Sequence, residues 1–248
     1  MSELAGNFVS LIAPMTDDMS TISEVRLARL VRRLMQDGAE GFLVGGDAAE
    51  FATLTVSERK MMVEIVMRES NNSLPVLVNA TAISSMTALD IAQHGGRHGA
   101  RGVVLMPPYY GKYTIPEVHQ HFKTISHFCH LPMVAIDLPG VPANDMWDEL
   151  RHNPSILIGL TPKSDPVNPY PTTDDFEVGP VRVSPLGLVD SHHLKGADNP
   201  NRPKLLELMR THGVARVAKA ILDARDQLMG PPRVPQQPLP RSAIEAFI

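Results

Sequence analysis

The sequence has few of the features that would link it to a membrane, to nucleic acid or to an oxidising compartment. Its 248 residues include one cysteine, Cys129, which cannot form an intrachain disulfide and is typical of a reducing compartment. The net charge of −4 offers no basic surface for nucleic acid. No apolar run reaches the roughly 20 residues of a membrane helix, and the first residues lack the basic and apolar segments of a signal peptide. We therefore expect a soluble cytoplasmic protein that binds neither a membrane nor nucleic acid.

Short apolar runs are what the sequence does have, and six of them recur at the spacing of alternating strands and helices. Such runs are typical of parallel strands that are covered on both faces. A chain of this length matches a (β/α)8 barrel, the TIM-barrel fold, which typically has about 250 residues. The six runs are Phe8–Ala13, Gly41–Gly45, Val76–Asn79, Gly102–Met106, Met133–Ile136 and Ile156–Leu160.

Apolar residues at helical spacing follow most of these runs. A hydroxyl at a helix start accepts an unpaired backbone N–H, and a proline there removes a donor that would have no partner. Gly38 is expected to end the first helix. Strand–helix units of this kind form right-handed crossovers with the helices outside the sheet. The predicted helix starts are Ser20 or Thr21, Ser57, Ser84 or Ser85, the turn containing Pro116, and Asp145.

The repeating pattern fails in the distal third of the chain. Eight prolines fall within residues 162–203, where each removes a strand donor or breaks a helix. Short strands are predicted at Phe176–Val178, Val181–Val183 and Leu186–Val189, without a helix between them. Eight complete units cannot fit, so the fold class is α/β, a (β/α)8 TIM barrel with a shortened or incomplete distal third.

Helical spacing returns over Lys204–Met209 and from Val214 to Leu228. The pattern predicts a barrel domain over residues 1–230. A proline-rich tail over residues 231–248 then ends in a short helix.

Several short motifs occur along the chain, some of them directly after predicted strands. They are Gly46–Glu50 followed by Leu54–Arg59, Pro107–Tyr110, Leu131–Pro132, Ala218–Ala220 and Pro231–Pro235. Taken together, these motifs resemble the dihydrodipicolinate synthase and N-acetylneuraminate lyase family of pyruvate-dependent class I aldolases. Any one motif alone would be a weak signal. In such a barrel the functional residues lie at the C-terminal ends of the strands.

The resemblance implies a lysine at the end of the sixth strand, which forms an imine with pyruvate, and a proton-shuttling tyrosine at the end of the fifth. It also implies two hydroxyl residues after the second strand that hold the substrate carboxylate. This chain instead has Thr161 and Ile136 at the first two positions, and Asp47 and Ala48 at the hydroxyl pair. Threonine cannot form an imine, isoleucine carries no exchangeable proton, and a carboxylate would repel a 2-oxo acid. The leading hypothesis is therefore a pseudoenzyme or divergent small-molecule binder.

Two alternatives stay open. In the first, Lys163 serves as a displaced imine-forming lysine for pyruvate or another 2-oxo acid, which requires that its amine be desolvated. In the second, the chain is a structural or regulatory subunit that pairs with an active relative. Tyr109 and Tyr110 match the family's paired tyrosines, and they are predicted to face either the substrate or a neighbouring subunit. Because a shortened barrel would expose a sheet edge, we also expect a homo-oligomer or pairing with a family relative.

Four carboxylates follow predicted strands and are expected near the same rim. Clustered carboxylates can bind a divalent cation or raise one another's pKa for acid–base work. The preferred interpretation is that Glu50 holds a loop through hydrogen bonds to backbone amides, as in the family, while Asp137 is kept as a substrate-binding candidate. The four residues are Asp47, Glu50, Asp137 and Asp165.

Histidines are concentrated on the predicted helix after the fourth strand, far from the barrel mouth. No carboxylate is spaced in the sequence to complete a metal site with them, so solvated helix residues are expected. No cofactor and no metal is predicted for the chain. The histidines are His119, His121, His127 and His130, and Cys129 lies among them.

Overall fold

The computed structural model describes residues 4–136, 143–150, 152–159, 176–196 and 199–248, and for residues 143–146 and 157–159 it describes the backbone alone. Within these ranges the strands belong to one sheet. They are β1 (Gly6–Ser10), β2 (Gly41–Val44), β3 (Val76–Asn79), β4 (Gly102–Leu105), β5 (Met133–Ile136), β6 (Ile156–Gly159), β7 (Phe176–Val178) and β8 (Val181–Ser184). The order across the sheet is β6-β5-β4-β3-β2-β1-β8-β7.

Helices alternate with the first six strands and cover the outside of the sheet. The described helices are α1 (Glu24–Asp37), α2 (Val56–Ser70), α3 (Ser85–Arg97), α4 (Ile115–Cys129), α5 (Ala143–Leu150), α6 (Ser191–Leu194), α7 (Arg202–His212) and α8 (Val214–Ala224). None of them combines the length and the apolar character that crossing a bilayer would demand.

The six predicted strands are confirmed as parallel neighbours. Each predicted run overlaps its strand, although β1 ends at Ser10 rather than at Ala13. Strand β1 pairs in parallel with β2 on one side and with β8 on the other, so that Phe8 stands opposite both Gly41 and Val183. A Cβ atom on Gly41 would overlap the Phe8 ring, so only glycine allows this large side chain to point into the barrel.

The shortened distal third is confirmed, and its form is a hairpin. Strands β7 and β8 pair antiparallel, with Phe176 opposite Val183. The two-residue turn between them contains Gly179 at a φ of 55°, a conformation that glycine adopts at little cost. Cα atoms of β7 also lie within 8 Å of β6. The hairpin thus brings the two ends of the sheet close together in a barrel-like arrangement.

Residues Leu186–Val189 do not form the predicted strand. They contain a short 3-10 helix, Leu186–Leu188, that starts after Pro185 in a helical backbone conformation. A Cβ on Gly187 would lie 2.6 Å from Leu194 and 2.8 Å from Val9, so only glycine fits between these two side chains. Helix α6 follows, and it was not predicted. The Asp190 side chain caps it by accepting from the His192 backbone N–H at 3.1 Å.

In two cases a hydroxyl residue other than the predicted one precedes the helix, so these two predicted starts are wrong. Helix α1 begins after Ser23 rather than after Ser20 or Thr21, since the Ser20 hydroxyl donates to Asp18 in the preceding turn, at 2.8 Å. Helix α2 begins after Thr55 rather than at Ser57.

The start of α2 is a capping box. The Glu58 backbone N–H donates to the Thr55 hydroxyl at 3.2 Å, and the Glu58 carboxylate accepts the Thr55 backbone N–H at 2.8 Å. This reciprocal pairing satisfies two donors that a helix start otherwise leaves open. The predicted starts at Ser84 and at the turn of Pro116 are confirmed, as is the end of α1 at Gly38.

The apolar core has two parts. One lies between the strands and the surrounding helices, and the other fills the barrel itself. Each aliphatic or aromatic side chain buried in this way contributes roughly 1.5–3 kcal/mol. The barrel interior contains Leu4, Phe8, Leu43, Phe51, Leu77, Val104, Met106, Val134, Ile136, Phe176, Val178, Val181 and Val183.

Candidate functional site

The loop after β2 forms one side of the barrel mouth. Gly45 at a φ of 77° turns the chain into a short 3-10 helix, Asp47–Ala49, after which Glu50 adopts a left-handed conformation. Ala48 is buried and Asp47 is half-buried. The structure therefore brings the predicted residues of this loop together at the C-terminal end of β2.

Glu50 is buried and holds distant parts of the chain together. One carboxylate oxygen accepts from the Lys219 ammonium of α8 at 2.5 Å, and the other accepts from the Arg233 backbone N–H at 2.8 Å. Lys219 also donates to the Pro231 carbonyl at 3.2 Å. Burial lowers the pKa of Lys219, while the charge of Glu50 opposes this shift. Glu50 thus ties the β2 loop to α8 and to the C-terminal tail.

A buried polar network lies beside this loop, and the sequence did not predict it. Asn79 ends β3; its amide donates to the Gly45 carbonyl at 2.6 Å and its side-chain oxygen accepts from the Thr81 hydroxyl at 2.6 Å. Thr81 in turn accepts from the Met106 backbone N–H at 3.0 Å. Because Asn79 closes an apolar run, the only sequence signal was one amide at a strand end. The network connects the ends of β2, β3 and β4.

Arg59 supports the same network from α2. Its guanidinium donates to the carbonyls of Asn79 at 2.6 Å and of Thr81 at 2.9 Å, and it lies 5.3 Å from the centre of the Phe51 ring. Burial lowers the pKa of Arg59 to about 10, so the side chain stays charged at neutral pH. Phe51 contacts the edge of Tyr109 at 6.2 Å between ring centres.

The end of β5 is apolar. Ile136 is fully buried and belongs to the barrel interior, together with Met106 and Phe51. An isoleucine side chain at this position is neither a general acid nor a general base.

The paired tyrosines lie on the surface after β4. Tyr110 is 72% exposed and Tyr109 is 44% exposed, and the Tyr113 hydroxyl donates to the Tyr110 carbonyl at 2.7 Å. Their predicted part in a substrate site or a subunit interface stays a prediction. Thr161, Lys163, Asp137 and Asp165 lie outside the described residues.

The sequence contains few lysines, and Lys219 is the buried one among those that the structure describes. Of seven lysines in the sequence, six are described. Lys60 pairs with Asp90 and Lys123 with Glu149, and Lys219 pairs with Glu50. The remaining three are exposed; they are Lys112, Lys195 and Lys204.

The prediction of solvated histidines on α4 is wrong for two residues. His119 is buried and its ring lies 2.6 Å from the Glu149 carboxylate of α5. His121 is buried on the opposite side and shares a hydrogen bond of 2.7 Å with the Ser85 hydroxyl of α3. Helix packing on both sides covers these rings, which the spacing within one helix did not reveal. His127 and His130 are exposed, as predicted.

The free energy of unfolding should decrease as the pH drops, because of His121. Burial lowers the pKa of His121 to about 4 from an ordinary value of 6.5, so the unfolded chain binds the proton first as the pH drops. Stability should therefore decrease from about pH 6.5 to about pH 4, by about 3 kcal/mol in total for this group. Urea denaturation across this range should show a flatter profile for His121→Gln. The exposed His127→Gln serves as a control, and equal slopes in both variants would contradict the assignment.

Comparison with known proteins identifies a family model and several relatives that match this chain. The sequence model of the dihydrodipicolinate synthetase family matches residues 3–150. The 4-hydroxy-tetrahydrodipicolinate synthase of Neisseria meningitidis serogroup B is 32% identical over 219 residues, which cover 87% of this chain and 70% of that enzyme. That of Rhizobium meliloti is 34% identical over 144 residues, which cover 58% of this chain and 49% of the enzyme. The chain thus spans about half the length of several curated relatives it matches.

Solved structures share the fold over the whole chain. A catalytic-lysine mutant of the sialic acid aldolase of Ruminococcus gnavus aligns with a TM-score of 0.82 at 20% identity, covering 100% of this chain and 94% of the other. The dihydrodipicolinate synthase of Cyanidioschyzon merolae with lysine bound gives a TM-score of 0.78 at 20% identity, covering 98% and 95%. At this level of identity the likeness concerns the fold alone.

Proposed function

Since the chain belongs to the dihydrodipicolinate synthetase family, we propose that it is a member without imine chemistry, a pseudoenzyme whose barrel is kept for binding a small molecule. The observation that carries the proposal is the burial of Ile136 in the apolar barrel interior. In the family that the motifs resemble, the end of β5 supplies the tyrosine that moves protons. A general acid or base must stand within hydrogen-bond reach of the proton it transfers. An isoleucine side chain has no proton that it could transfer.

The lysine positions support the same proposal. An imine requires an amine that reaches the substrate and is partly deprotonated. Thr161 occupies the position of the family's lysine. Among the described lysines, Lys219 alone is buried near the mouth, and its amine is held by Glu50 at 2.5 Å and by the Pro231 carbonyl. Moving it would leave a buried carboxylate without its partner, which costs several kcal/mol.

The loop after β2 also disfavours a 2-oxo acid. Asp47 and Ala48 replace the two hydroxyl residues that hold the substrate carboxylate in the family. A carboxylate at Asp47 repels an acidic ligand, and a methyl group at Ala48 donates no hydrogen bond. The ligand of this barrel is therefore proposed to be neutral or cationic near Asp47, unlike pyruvate.

Pyruvate and sodium borohydride test the proposal, since reduction converts a transient imine into a stable adduct. The intact mass of the wild-type protein should stay unchanged, while a relative that has the lysine, treated in parallel, should gain the mass of one reduced pyruvate. Peptide mapping distinguishes the alternatives. An adduct on Lys163 that disappears in Lys163→Met would establish the active-aldolase alternative, and an adduct on Lys219 would show that its ion pair opens to substrate.

A further inference from the structure

Three potential metal ligands lie together on the outside of the barrel, away from its mouth. Glu64 belongs to α2, His94 to the last turn of α3, and His98 directly follows α3. One ligand atom from each residue lies within 4.8 Å of the other two, and no other such group of three occurs among the described residues. Two neighbouring helices therefore contribute to one cluster.

The histidine pair has the geometry of metal ligands on one helix face. His94 and His98 are four residues apart, and their ring centres lie 4.2 Å from each other. The Nδ1 atom of His98 is 2.9 Å from the His94 carbonyl. When Nδ1 donates to this carbonyl, the lone pair of the ring is on Nε2. Many metal-bound histidines are oriented by a hydrogen bond of this kind from the ring nitrogen that does not bind the metal.

The contact between His94 and Glu64 also fits a shared metal ion. His94 Nε2 lies 3.0 Å from a Glu64 carboxylate oxygen. Within the part of the chain that the structure describes, this buried nitrogen makes no aligned hydrogen bond. Two ligands bound at 2.0–2.1 Å to a tetrahedral Zn²⁺ stand roughly 3.3 Å apart. The two atoms are thus spaced for a common ion, although they are poorly aligned for a hydrogen bond.

The donor atoms of the cluster are of the types that zinc binds. Zn²⁺ binds neutral imidazole nitrogen and carboxylate oxygen.

The two nearby cations do not exclude a metal ion. The Lys60 ammonium is 2.7 Å from both carboxylate oxygens of Asp90, so an anion compensates its charge. Arg97 is exposed to solvent, where water and salt screen its charge.

We propose that Glu64, His94 and His98 bind a Zn²⁺ ion that links α2 to α3, with water as the fourth ligand. The three protein ligands and one water make the tetrahedral set that zinc prefers. Because the ligands come from two helices that pack on different strands, binding should stabilise the folded protein over the unfolded chain.

Calorimetric titration of the chelator-treated full chain with ZnCl₂ tests this site. We expect one Zn²⁺ per chain and a rise in Tm that grows with the Zn²⁺ concentration. His98→Gln and Glu64→Gln should each weaken the binding roughly tenfold or more. The matched control is His127→Gln, an exposed histidine outside the cluster, which should bind like the wild type.

Circular dichroism identifies any variant that does not fold. Binding of Co²⁺ to the wild type tests the coordination geometry without any variant. Bound Co²⁺ in the wild type should show the intense visible absorption of a tetrahedral site. Absence of Zn²⁺ binding by the wild type would overturn the proposal. Undiminished affinity in folded His98→Gln and Glu64→Gln, or an octahedral Co²⁺ spectrum, would overturn it as well.

Discussion

Replacing Lys219 with methionine should lower the free energy of unfolding by about 3–5 kcal/mol, the usual loss when one partner of a buried ion pair is removed. Lys219 is 1% exposed, and its ammonium is the charge that compensates the buried carboxylate of Glu50. The variant would leave this carboxylate without a cation and the Pro231 carbonyl without its donor. Urea denaturation at neutral pH measures the loss.

Two further variants show whether the loss of stability comes from the uncompensated buried charge or only from removing a lysine side chain. Lys60→Met removes a lysine whose pair with Asp90 is partly exposed. This variant should lower the free energy of unfolding by no more than about 1 kcal/mol. The double variant Glu50→Gln with Lys219→Met removes both charges and keeps an acceptor for the Arg233 backbone N–H. It should be more stable than Lys219→Met alone. If Lys219→Met lowered the free energy of unfolding no more than Lys60→Met does, Lys219 would not be the charge that compensates Glu50.

This ion pair explains why the C-terminal tail belongs to the site. Through Glu50 the tail residues Pro231 and Arg233 are held against the loop after β2. The Arg233 guanidinium adds two contacts to the Glu58 carboxylate, at 2.7 and 2.8 Å. The motifs at Ala218–Ala220 and Pro231–Pro235 are thus distant in sequence from the loop after β2 but meet it at the barrel mouth.

The strands could be predicted from the sequence because burial on both faces imposes an apolar run that few other structures need. Helix starts were harder, since several hydroxyl residues precede α1 and α2, and the side-chain contacts of each one decide which of them stands at the helix start. The hairpin of β7 and β8 was predicted as two strands, but its direction was not. The direction follows from the two-residue turn at Gly179, because so short a connection can join only antiparallel strands, while the pairing of β8 with β1 is long-range and no local pattern encodes it.

The candidate site was predictable where a motif marked it and not where it depends on packing. Asp47 and Glu50 follow a strand and were found by position. The buried network of Arg59, Asn79 and Thr81 was missed, because an arginine in a helix and an amide at a strand end are ordinary in sequence. The cluster of Glu64, His94 and His98 was missed because it joins two helices whose relative rotation is set by the barrel.

Under the proposed function the wild type forms no imine, and Thr161→Lys should form one. Thr161 occupies the sequence position of the family's lysine, and imine formation needs mainly a reachable, partly deprotonated amine. Catalytic groups that act as a unit are strongly non-additive. The quadruple variant with Ile136→Tyr, Asp47→Thr and Ala48→Thr should therefore label more strongly than the single variant. Because Ile136 and Ala48 are fully buried, circular dichroism must first show that this variant folds.

The most direct measurement is peptide-mapped labelling by pyruvate and borohydride, made in parallel on the wild type, on Thr161→Lys and on the quadruple variant. The account predicts no label on the wild type, a weak label on residue 161 of the single variant, and a stronger one on the same residue of the quadruple variant. A wild type that labels on Lys163 would contradict it, and so would a folded quadruple variant that never labels.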